Sequence, residues 1–158
     1  MLDIIKLKRM ELFKGLDDTR LEEIASLCDQ RRFEANDILF KADDVAKEMF
    51  ILLSGRVALN VPVSVLMVER QMQIDSKVSG DLLGWSALVP PHKYTLTATA
   101  TEPVEVAAIG SDALFKYFEE NSQSGFLIMT NVARIIGERL NQVKSLLLKE
   151  VERSIRLV

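Results

Sequence analysis

The sequence predicts a mainly β domain, a sandwich or jelly-roll barrel, with short helices in front and one long helix behind. Three observations carry this reading. Between Arg31 and Ile109, apolar residues fall in many short alternating runs separated by turn residues. Before Arg31 the apolar spacing is helical. After Gly125 it is helical again and stays so to the end of the chain.

Taken in order, residues 3–10 suit a short helix with Ile4, Leu7 and Met10 on one side. Gly15 breaks the chain after Leu12-Phe13, and Asp17 or Asp18 caps a second helix carrying Leu21, Ile24, Ala25 and Leu27 or Cys28. Phe33, Ile38, Phe40, Phe50 and Leu52 mark the first strands. The turns between them are Glu34–Asp37 and Ala42–Val45, where Asn36 and Asp43 tolerate a left-handed backbone. After Ser54-Gly55, Val57, Leu59, Val61, Val63 and Val65 alternate on one face, and Pro62 points to an edge or a bulge. A return strand begins near Glu69-Arg70 with Met72 and Ile74 inward. Val104–Ile109 is the last strand, closed by Gly110, and Ser111-Asp112 opens a short helix carrying Leu114, Phe115 and Phe118.

The long helix is expected from about Phe126, dividing the chain into 1–125 and 126–158. Val132, Ile136, Leu140, Val143, Leu147 and Val151 are spaced close to a coiled-coil seam. The proximal part must pack on the barrel, and the distal part needs another chain. Ile136, Leu140, Val143, Leu147 and Val151 are therefore the expected homodimer contacts.

Among the loops, Gly80–Ala100 stands out. A strand-like entry meets Gly84, which permits close backbone approach, and then a turn that Ser86 can cap. A double proline and an alternating strand follow. Free amides at such a turn attract an anion.

Composition removes other classes. With 48% hydrophobic and 27% charged residues the chain is an ordinary soluble domain, and a net charge of −3 gives no basic field for nucleic acid. No apolar run spans a bilayer and the N-terminus lacks a secretory signal, so a cytoplasmic protein without membrane insertion is expected. Cys28 is alone and reads as a small buried hydrophobe; His92 is the only histidine, and no metal site is expected. Gly80 and Gly84 are not followed by Gly-Lys-Ser/Thr, and no nucleophile–base pair is visible, so an enzyme is not expected.

The order of elements resembles the cyclic-nucleotide-binding domain family over about residues 10–145. The residues that carry the likeness are Leu12-Phe13 with Leu16, Asp37–Phe40, Met49–Val57, Gly80-Asp81, Leu83-Gly84 and the strand ending at Ala100. The resemblance implies a β-roll with N-terminal helices and a dimerising C-terminal helix, acting as a sensor or regulatory module. It places a ligand against Leu83, Gly84, Trp85, Ser86, Ala87, Tyr94 and Thr95. Two departures stand in that cassette. The family's glutamate, which accepts from a ribose hydroxyl, is replaced by Trp85, and its phosphate-binding arginine by Tyr94. A phenol cannot copy the bidentate, charge-assisted contact of a guanidinium. Cyclic AMP held in the usual manner is disfavoured, and no other cofactor is implied. Three states of the pocket stay open: filled by Trp85 as a constitutive scaffold, lined by Trp85 for a non-standard ligand, or ordinary. Lys93 and His92 offer a basic group if the loop turns them inward. The chain ends at Val158, straight after the long helix, so no helix-turn-helix and no direct DNA binding are expected; the downstream protein partner is unspecified.

Overall fold

The computed structural model describes residues 2–157. Helix α1 (Ile4–Lys8) is capped by Asp3, whose carboxylate accepts from the Ile5 N–H at 2.9 Å. A 3-10 turn at Glu11–Phe13 leads into α2 (Asp18–Ser26). Of the two aspartates offered as its cap, Asp17 takes the role, accepting from the Arg20 N–H at 2.9 Å. Leu21 and Ile24 are buried as their spacing required.

Eight strands follow among the described residues: β1 (Asp29–Phe33), β2 (Ile38–Phe40), β3 (Glu48–Ser54), β4 (Arg56–Val65), β5 (Val68–Val78), β6 (Leu82–Leu83), β7 (Thr97–Ala100) and β8 (Val104–Gly110). They form two antiparallel four-stranded sheets ordered β1-β8-β3-β6 and β2-β7-β4-β5. This is the jelly-roll architecture that the strand spacing predicts. Asn36 and Asp43 adopt φ of +73° and +70°, as their turn chemistry anticipated. Pro62 pairs with Gln71 on β5, whereas β7 reaches β4 only over Val57–Asn60, so the proline sits where β4 has one neighbour.

Four expectations are corrected. Strand β3 does not alternate: Met49 through Leu53 are all buried, in one core cluster with Leu21, Ile24 and Leu114 from the helices. A strand covered on both faces has no polar side to show. Met72 is half exposed, because the outer part of the β4–β5 hairpin extends past β7 and nothing covers it. Helix α3 (Ser111–Glu120) buries Leu114 and Tyr117, leaving Phe115 outside against His92. Helix α4 begins at Ser122 and runs unbroken to Arg156, so Gly125 lies inside it. That glycine marks close packing and not a break: a Cβ there would meet the Cβ of Phe118 at 2.9 Å.

Along α4 the burial changes once. Ile128 and Val132 are buried, Ile135 and Ile136 are half-buried against the core, and every apolar side chain from Leu140 to Leu157 is exposed.

Candidate functional site

Strand β6 pairs Leu83 with Phe50 of β3, and the chain then turns at Gly84 with φ +71°. A Cβ at that position would lie 3.0 Å from the Tyr94 ring and 3.1 Å from the Glu48 carbonyl oxygen. Glycine is required here for both backbone and space. Gly84 is the cap of the 3-10 turn Trp85–Ala87; no side chain caps it, so Ser86 is not the cap but a buried residue within the turn. The Ala87 and Leu88 N–H groups are engaged by the turn, donating to the Gly84 and Trp85 carbonyls at 3.0 and 2.9 Å.

Between this turn and α4 lies a cavity of about 530 Å³. That volume suits a small organic ligand. Of the residues expected to touch a ligand, Leu83, Gly84, Trp85, Ser86, Tyr94 and Thr95 line it. Ala87 does not: it is 1% exposed and packs into the core behind the turn. Trp85 stands on the cavity wall with the space beside it open. The opposite wall is helical, formed by Ile135, Ile136, Arg139, Leu140 and Val143.

Tyr94 has its own occupation. Its ring stacks on Phe40 with centroids 4.1 Å apart and planes 18° from parallel, and its hydroxyl donates to the Glu48 carbonyl at 2.7 Å. Burial, above all, pushes the phenol above its ordinary pKa range. The side chain at the arginine's place therefore knits the cassette to β2 and β3. Neither basic neighbour replaces it. Lys93 is exposed away from the cavity, and the His92 ring turns toward α3, with Nδ1 3.1 Å from the Ala87 carbonyl.

The cations that do reach the cavity come from elsewhere: Lys77 on β5 and Arg139 on α4. Both pair with Asp75, Lys77 at 3.1 Å and Arg139 by a short contact to the same carboxylate oxygen. Burial raises the Asp75 pKa, but hydrogen bonds from Lys77 and the Ser76 N–H, with the charges of Lys77 and Arg139, outweigh it and hold the carboxyl below its usual value. Sequence reading missed this group because Arg139 stands 64 positions from Asp75. A signal did exist. Asp75 and Lys77 alternate onto the face of β5 that carries Leu59 opposite, and Arg139 lies one turn from Ile136 and Val143.

Cys28 lies outside the site. Burial pushes its thiol up to about 12, and the Sγ donates to the Ile24 carbonyl at 3.3 Å. The thiol is half-buried and is expected to react with iodoacetamide at pH 8 more slowly in the folded protein than in denaturant; equal rates would contradict this shelter. Because the unfolded thiol ionises from about 9 and the folded one does not, its contribution to stability is complete below pH 9 and falls as pH rises toward 12.

Known proteins share this fold. A candidate cyclic nucleotide-binding protein from Geobacter metallireducens is 31% identical, with a TM-score of 0.75 over 89% of this chain and 99% of that one. A cyclic nucleotide-binding domain from Methylobacillus flagellatus superposes with a TM-score of 0.80 at 14% identity, covering 93% and 81% of the two chains, a likeness of fold alone. Glutaminase 1 of Bradyrhizobium diazoefficiens is 25% identical over 139 residues, which are 85% of this chain; the chain spans 21% of that protein. No helix among the described residues is long and apolar enough to cross a membrane. Residues 30–121 match the cyclic nucleotide-binding domain, so the chain belongs to that family of regulatory, non-catalytic binding modules.

Proposed function

We propose that the protein is a cyclic-nucleotide-binding-like sensor whose cassette has lost its two polar ligand contacts, and that it signals through α4. The observation that carries this is the shared wall of the cavity. Leu140 and Val143 line the ligand space and also begin the exposed apolar stripe of the long helix. A ligand between Trp85 and α4 touches both. Its differential affinity for two positions of the helix is what would drive a change.

The output end is a homodimer seam of Leu140, Val143, Leu147 and Val151. Ile136 contributes at its margin, since it is half-buried against its own domain. Cyclic AMP in the usual manner remains disfavoured, because Trp85 offers no acceptor and the Tyr94 hydroxyl is engaged. The open cavity favours a sensor over a constitutive scaffold.

Trp85 is the only tryptophan, which makes the test direct. Its fluorescence should change on titration with at least one member of a panel of cyclic AMP, cyclic GMP and cyclic dinucleotides. A flat response, with no thermal shift from any of them, would favour the scaffold. In the double variant Trp85→Glu with Tyr94→Arg, cyclic-nucleotide affinity should rise at least ten-fold, read by thermal shift because the tryptophan is gone. Loss of the ring stacking and of the Glu48 contact should lower ligand-free stability by about 2 kcal/mol. A stable variant that still ignores every cyclic nucleotide would overturn the assignment of those two positions.

A further inference from the structure

We infer that the anion-binding pole of this cavity is formed by Lys77 and Arg139, with the Asp75 carboxylate standing in for the ligand's anion. The inference rests on the cavity being a ligand site, and it names the class of ligand: a planar ring bearing an oxyanion.

Arg139 carries five N–H donors and Lys77 three, whereas the single carboxylate between them engages only part of that number. Both side chains line the cavity; Asp75 lies behind them and does not. Side-chain exposure is 22% for Lys77, 27% for Asp75 and 19% for Arg139, so the group is held in partial shelter from water, where charge–charge contacts count for more than at the surface. Three other carboxylates line the cavity wall. Glu11 is tied to Arg134, Asp81 accepts from the Val78 N–H at 2.9 Å, and Glu138 is exposed. The ring-sized partner is Trp85 on the cassette side, and Leu59, Ile74, Leu96 and Ile136 supply apolar wall.

An arriving anion therefore competes with Asp75 for two cations, one on β5 and one on α4. Exchange of partners at Arg139 transmits occupancy to the helix. This differs from a cassette-held anion in a testable way, because the electrostatic contact would come from outside residues 80–100.

The probes are a matched pair, 1-anilinonaphthalene-8-sulfonate and the uncharged N-phenyl-1-naphthylamine, read by energy transfer from Trp85 in the full chain. The anionic probe should bind more tightly than the neutral one. Arg139→Gln with Lys77→Gln should reduce that preference about ten-fold while leaving the neutral probe unchanged. Asp75→Asn should do the opposite, tightening the anionic probe several-fold and leaving the neutral probe unchanged, whereas a loosened fold would raise binding of both. If both probes bind alike and no variant separates them, the anion pole is wrong although the cavity reading stands. The pole is equally wrong if the sulfonate is preferred and the preference survives both glutamines. If neither probe quenches Trp85, the cavity is not accessible and both readings fall.

Discussion

Leu140→Asp with Leu147→Asp should convert the protein from a dimer to a monomer, read as sedimentation at the 17.8 kDa chain mass instead of twice that value. Both leucines are about two-thirds exposed on a single chain, so neither substitution opens the core. In a two-fold pair four leucines lose their burial, at roughly 1.5–3 kcal/mol each, for a total of about 6–12 kcal/mol. That is on the order of a 10⁴-fold or greater weakening of association. Four facing carboxylates add repulsion. The distal turns of α4 have no support from their own domain, so the monomer should also lose helical circular dichroism as that end frays. A wild-type protein already sedimenting as a monomer, or a variant that remains a dimer, would remove the seam from the mechanism.

Gly55→Ala is expected to be the most damaging small substitution. The residue has φ +84°, and an added Cβ would lie 2.4 Å from the Pro103 carbonyl oxygen and 2.7 Å from Val104 Cγ1. The left-handed backbone alone costs an alanine about 1–2 kcal/mol. The clash is with backbone at the entry to β8, the strand that pairs with both β1 and β3, so relief requires moving the centre of a sheet. Together these are a large share of a stability of roughly 5–15 kcal/mol, and a fall in Tm on the order of 10 °C follows. Gly110→Ala is the control: its φ is −68° and nothing lies within 4 Å of the added carbon. A Gly55→Ala protein as stable as that control would mean that the Ser54-Gly55 turn is looser than its contacts indicate.

The two predictions probe the two halves of the proposed coupling. The glycine turn holds the sheet on which the cassette rests, because β6 hangs from β3 by Phe50–Leu83 and Ile51–Leu82. The leucines carry the output away from the cavity. Between them stands Arg139, where helix and sheet meet through Asp75.

Features that depend on local chemistry can be read from the chain alone. Turns at Asn36, Asp43, Gly55 and Gly84 were legible because few residues tolerate a left-handed backbone. The β class followed from period-two runs, and α4 from its three-and-four spacing. Burial on both faces of β3 was not legible, because apolar residues in a row carry no alternation to read. Nor were the covered Tyr117 and the uncovered Met72, since what lies over a residue is decided by other elements. The same holds at the site. Trp85 and Tyr94 were picked out as departures, but only the folded chain decided that one faces an open cavity while the other stacks on Phe40 and donates to Glu48. Asp75 and Lys77 share one face of β5 by strand alternation, but their meeting with Arg139 is tertiary. Charge pairs across 64 positions leave no local pattern, and only packing of β5 beside α4 brings them together.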